Sequence, residues 1–132
     1  MKQLLQSIAG LPRGVQLWLP ILFGTNMASL AFLDTDVGRN TALAFAVVCA
    51  FNMPMMFIQR GLTRLLAFPH FAWVPLVIYL FDQLWGASPI GPGTIRTYAL
   101  LVFSFNTISL LFDVVDAVKW LGGRREVLGL KS

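Results

Sequence analysis

Two aspartates three residues apart, Asp113 and Asp116, stand in the stretch Phe-Asp-Val-Val-Asp. On a helix this spacing puts both carboxylates on one side, where they could hold a divalent cation or meet basic partners. Metal-dependent lipid-modifying chemistry needs more oxygen ligands than this, and no further aspartates or flanking glycines surround the pair. Ion pairing is therefore the expected role. Arg60 and Arg64 follow the end of an apolar stretch at the same depth, and a guanidinium meets a carboxylate with two parallel hydrogen bonds. A clamp from Asp113 to Arg60 or Arg64 is expected, with Lys119 as a local partner for Asp116. Asp82 and Arg96 flank a short loop and are expected to form a second pair. Unpaired, Asp82 would be a candidate proton-relay carboxylate.

His70 and Cys49 are the only histidine and cysteine. In separate segments they cannot build a zinc site alone, and a haem at His70 would need a second ligand from another chain or from a methionine. No metal and no cofactor is expected. His70 reads as an interfacial hydrogen-bonding group and Cys49 as a small packing residue. Gly-x-Ser-x-Gly, Walker, His-Glu-x-x-His and Cys-x-x-Cys motifs are all missing. The chain is not expected to be an enzyme.

Three asparagines, Asn26, Asn52 and Asn106, fall inside apolar stretches. With Ser29 and Ser109 they form a candidate intramembrane polar network. Interhelical bonding is the expected role, worth about 0.6 kcal/mol per bond on average. Asn52→Ala and Asn106→Ala should then cost about 1 kcal/mol or less each. The alternative is a polar path lined by Asn26, Asn52, Asn106 and Asp113. Pro54 frees the carbonyl of Ala50, and Asn52 is a candidate to satisfy it.

These groups must be positioned by helices in lipid. The 132 residues are 57% hydrophobic and 12% charged with a mean hydropathy of +0.72, about half the charge of a soluble domain. That excludes disorder, and a single cysteine excludes a disulfide scaffold. Four spans are expected at about 15–33, 41–58, 69–86 and 95–115, the third reaching length only if it starts near Pro69 or earlier. A short interfacial helix at about 2–9 precedes them, and a loosely ordered tail at 122–132 follows. The fold class is an all-α integral membrane protein, four transmembrane helices in one up-down bundle.

Spacing predicts the inward faces. In span four, Ala99, Val102, Asn106, Ser109, Asp113, Asp116 and Trp120 form one stripe, opposite Leu101, Phe105, Ile108 and Phe112. Span three groups Ala72, Pro75, Tyr79, Asp82 and Gly86. Span one groups Gly24, Ala28 and Ala31 with Asn26 and Ser29. Span two groups Ala42, Ala46, Cys49 and Ala50. Trp18, Trp73, Trp85 and Trp120 read as headgroup-level anchors.

Lys2, Arg13, Arg60, Arg64, Lys119, Arg124, Arg125 and Lys131 fall on one side, against only Arg39 and Arg96 on the other. Basic residues stay cytoplasmic, so both termini are expected inside, with Ser88 labelled from outside and Ser132 from within. The expected location is a bacterial inner membrane. The net charge of +4 is spent on this topology, and no nucleic-acid partner is expected. Membrane lipid and a protein partner, or self-association, are. The function read from these features is a non-enzymatic homo-oligomer or an accessory subunit of a larger membrane complex. A small channel or transporter is the alternative, and a metal-dependent lipid enzyme at Asp113 and Asp116 a more remote one.

Overall fold

A computed structural model describes residues 1–130, which form helices and loops without a strand. The α-helices are α1 (Lys2–Ala9), α2 (Arg13–Met27), α3 (Asp36–Ile58), α4 (Ala67–His70), α5 (Trp73–Trp85) and α6 (Thr94–Leu121). Lys131 of the basic cluster, Ser132 and the end of the expected 122–132 tail lie outside the described residues. Three runs are long and apolar enough to cross a membrane: Arg13–Phe32, Asp36–Ile58 and Thr94–Leu121. A fourth exists if Arg64–His70 and Trp73–Trp85 count as one span bent by 46°.

That bend follows from two prolines. Pro69 and Pro75 each sit in the first turn of their own helix, where a missing N–H costs nothing. A continuous helix would drive the Pro75 ring into the carbonyl of Phe71. The chain breaks at Phe71 and Ala72 instead, with 3-10 bonds from Ala72 N–H to Pro69 O (3.0 Å) and Val74 N–H to Phe71 O (3.1 Å). His70 stands at the break.

The turn between α2 and α3 is tight. A 3-10 segment, Ala28–Phe32, leads into Thr35, whose Oγ1 caps α3 by accepting from Gly38 N–H at 3.1 Å. Gly38 lies against the Phe32 carbonyl, so a Cβ there would collide with backbone.

The core is densest between α5 and α6, where Trp73, Leu76, Leu80 and Leu84 meet Tyr98, Ala99 and Val102. Along α6 the buried side runs Ala99, Val102, Asn106, Ser109 and Asp113, while Leu101, Ile108 and Phe112 face outward. The other helices turn differently from expectation. Helix α2 buries Leu22 and Asn26, and Ser29 follows in the 3-10 segment; Gly24, Ala28 and Ala31 are exposed. Helix α3 buries Thr41, Val48 and Asn52 and exposes Ala46 and Ala50. Helix α5 buries its leucines and exposes Pro75 and Asp82. In α5 the leucines, which gain most from tight contact, took the inside. In α2 and α3 the buried side is set by Asn26, Thr41 and Asn52 with Leu22 and Val48, and those small residues were left outside. Trp73 is likewise a core residue, 2% exposed, and not a headgroup anchor.

At one end of the bundle α1, the 61–63 loop and the tail are tied together. Ser7 is fully buried; its hydroxyl donates to Leu128 O (2.6 Å) and accepts from Leu62 N–H (3.0 Å). Leu128 N–H donates to Leu62 O at 2.7 Å. Gly129, at φ +77°, lies against Gly10 too closely for a Cβ on either. The tail is docked as far as Gly129, not loose, because these backbone groups find partners there.

Candidate functional site

Two polar centres lie on the inward stripe of α6. In the first, Asn26 and Asn106 face each other. Asn26 Nδ2 donates to Asn106 Oδ1 at 2.8 Å, and Asn106 Nδ2 returns a bond to Asn26 Oδ1 at 2.9 Å. Asn26 Nδ2 also reaches Leu22 O at 3.0 Å, and Ser29 Oγ donates to Asn26 O at 2.6 Å. Both asparagines are 0% exposed. Each amide supplies what the other lacks, so the centre is closed.

The second centre forms where the α4–α5 break delivers His70 to the bundle. His70 Nδ1–H donates to Asp113 Oδ1 at 2.9 Å, and Asn52 Nδ2 meets His70 Nε2 at 3.0 Å. Ser109 Oγ donates to Asp113 Oδ2 at 3.3 Å. Trp73 stacks on the imidazole, centroids 4.4 Å apart and planes within 5°. A carboxylate can only accept, so Nδ1 is the protonated nitrogen. A neutral ring then accepts at Nε2 from the Asn52 amide N–H; a protonated ring would take the amide oxygen instead. Asn52 can therefore serve either state by turning its amide. As observed, its Oδ1 is buried with no partner among the described residues, as is Trp73 Nε1.

This centre lines one wall of a cavity of about 730 Å³. The remaining wall is largely apolar, with Val15, Phe45, Met53, Met56 and Phe112 on it. Phe23 and Phe45 meet edge-to-face at 5.2 Å, toward the turn between α2 and α3. Leu11, Thr63 and Leu128 close the opposite end, where Ser7 ties the chain ends together.

The expected ion pairs are rearranged. Asp113 pairs with His70, not with Arg60 or Arg64. Arg64 lies 3.4 Å from Asp116 and makes a close contact with Glu126 in the tail. Arg60 is exposed in a left-handed conformation (φ 55°) at the end of α3 and makes no salt bridge among the described residues. Asp82 makes no salt bridge with Arg96, whose Nη1 donates to Leu84 O (3.1 Å) and Ile90 O (2.8 Å). The last carbonyls of a helix lack intrahelical partners, and Arg96 answers that need at the end of α5. Asn52 bonds His70 in place of the Ala50 carbonyl, because the helix break brings the ring within its reach. Both His70 nitrogens are engaged, and among the described residues no three His, Cys, Asp or Glu side chains converge on a metal site.

The Asn26–Asn106 contact joins two of the candidate network residues, with Ser29 beside them. Ser109 belongs to the second centre with Asn52 and Asp113. His70 as the hub was missed. The signal was present in Pro69 and Pro75, six residues apart around it. Compared with known proteins, the chain matches no family model, no curated protein and no solved structure.

Proposed function

We propose that the chain is an integral inner-membrane protein of a bacterium-like cell, a four-span up-down bundle with both termini cytoplasmic. It works as a non-enzymatic component, either as a homo-oligomer or as an accessory subunit beside a larger membrane complex. The observation that carries this reading is the closed Asn26–Asn106 pair. A permeation path through the bundle centre would need amides facing water, and these two face each other at 0% exposure. Two further features support it. Gly24 on α2 and Ala28 and Ala31 in the 3-10 segment after it are exposed, where a neighbouring helix can approach closely. The basic residues gather at the end where α1, the 61–63 loop and the tail meet, opposite Arg39 and Arg96.

The test is extraction from native membranes in mild detergent. The expected species is heavier than one chain, and Gly24→Ile with Ala28→Ile returns it to a single chain that stays folded. A monomer without companions overturns the reading. So does ion or solute flux in proteoliposomes that Asn106→Ala abolishes in well-folded protein. Orientation is read separately: a cysteine at Ser88 should label from outside and one at Arg125 only after permeabilisation.

A further inference from the structure

Two buried polar atoms on residues that line the 730 Å³ cavity have no partner among the described residues. One is Oδ1 of Asn52, an acceptor on a residue 8% exposed. The other is the indole N–H of Trp73, a donor on a residue 2% exposed. Both residues line the cavity, and both belong to the cluster around His70. Buried groups of this kind are costly to leave unpaired. Water alone answers poorly, since a cavity walled mainly by Val15, Phe45, Met53, Met56 and Phe112 tends to stay dry. Its volume falls within the range of small-molecule pockets, roughly 300–1,000 Å³.

Charge narrows the occupant. Asp113 is engaged by His70 and Ser109, and Asp116 stands beside Arg64. Among the described residues no lysine or arginine lines the cavity, so a phosphate or carboxylate head would lack a counter-ion there. An ammonium head would find only carboxylates already matched. A hydroxyl is uncharged, donates one hydrogen bond and accepts others, which is what Asn52 Oδ1 and Trp73 Nε1 require together. Val15, Phe23 and Met53 line the cavity yet are 39%, 40% and 48% exposed, so it reaches the lateral surface between α2 and α3.

The geometry points to a binding site for an uncharged long-chain alcohol, entered sideways from the lipid. Its hydroxyl lies between Asn52 and Trp73, and its tail runs along the α2–α3 cleft toward Phe23 and Phe45. Both residues line the cavity while the two atoms themselves are buried, so entry of the head requires a shift of the Asn52 amide. The ligand chemistry has two membrane sources, an isoprenoid alcohol or a partial glyceride. The inference rests on the bundle lying in lipid, which carbonate extraction of native membranes reads beforehand and independently.

The experiment uses the full chain in phosphatidylcholine nanodiscs with a diazirine-bearing hexadecanol as probe. Photolabel is expected in the cavity-lining parts of α2 and α3. Unlabelled hexadecanol should displace it about three- to tenfold better than hexadecyl methyl ether, which cannot donate. Palmitate should compete no better than the ether. Trp73→Phe, which keeps a ring against His70, and Asn52→Leu should both narrow the alcohol-to-ether ratio. If a variant fails to fold, the ratio in the unmodified chain still decides. A prenol and a monoacylglycerol run as competitors tell the sources apart, the tighter naming the tail. Equal competition by alcohol and ether overturns the proposal. Label spread over outward residues of α6 such as Leu111 and Val118 overturns it as well.

Discussion

The Asn26–Asn106 centre and the His70–Asp113 centre sit on one face of one helix, seven residues apart along α6, yet one is closed and the other open. The difference lies in what stands opposite. Against Asn106 stands the last turn of α2, which presents an identical amide, and two amides satisfy each other in pairs. Against Asp113 stands a helix break. The break supplies an imidazole with two nitrogens to satisfy, so a third residue, Asn52, must join. An odd set of partners leaves an oxygen over. Two prolines thus turn a helix that could have sealed the bundle into a notch beside a cavity.

The closed centre should be the harder to disturb and the costlier to break. Asn106→Leu strands the Asn26 amide in a dry core and should cost about 2 kcal/mol, near the upper end for interhelical bonds in membranes. Adding Asn26→Leu should recover part of that loss, because no unpaired amide then remains. Thermal unfolding in detergent measures both. This exceeds the cost of 1 kcal/mol or less expected from the sequence, since the bond is reciprocal. A double variant as unstable as the sum of its singles would erase the contrast between the centres.

The open centre should give a smaller effect. Asp113→Asn replaces an ionic acceptor on His70 Nδ1 with a neutral one and should cost about 1 kcal/mol. A double-mutant cycle places the partner. Coupling is expected between Asp113→Asn and His70→Gln, and additivity between Asp113→Asn and Arg60→Gln. Coupling to Arg60 instead would restore the clamp that the sequence suggested. Nitrogen NMR of the imidazole should find the proton on Nδ1 in the unmodified chain and a changed ring signal in Asp113→Asn.

Much of this arrangement is legible in the amino-acid order. Apolar length locates three helices long and apolar enough to cross a membrane, and a fourth if the bent pair counts as one. The 3-4 alternation from Ala99 to Asp113 marks the buried side of α6. The stripe is legible because every polar residue on it would be expensive in lipid. Partners are not legible, because an acid's neighbour depends on how a second helix bends. Asp113 and Arg60 share a depth, but depth says nothing about azimuth, and the bend at Phe71 and Ala72 brought His70 closer. Small residues misled for a related reason. Gly24, Ala28 and Ala31 permit close approach without demanding it, so their face follows whatever Leu22 and Asn26 dictate.

The smallest effect is expected outside the spans, where the cavity end is closed by the docked tail. The Arg64 guanidinium beside Glu126 holds that carboxyl below its ordinary range by hydrogen bonding. A depressed carboxyl stabilises the docked tail fully above the unfolded value, about 4.3, and loses that contribution as pH falls through the lower folded value. Glu126 is solvent-exposed, so screening keeps the contribution small. Amide exchange at Leu128, whose N–H bonds Leu62 O, should therefore stay slow from neutral pH to about pH 5 after correction for intrinsic rates. Below about pH 4 it should rise, with the Asn26–Asn106 region unmoved. Glu126→Gln should abolish that acid step, while Ser7→Ala should speed exchange at Leu128 at every pH, since the Ser7 hydroxyl bonds do not titrate. An acid step that persists in Glu126→Gln would assign the closure to another group and detach the tail from Arg64.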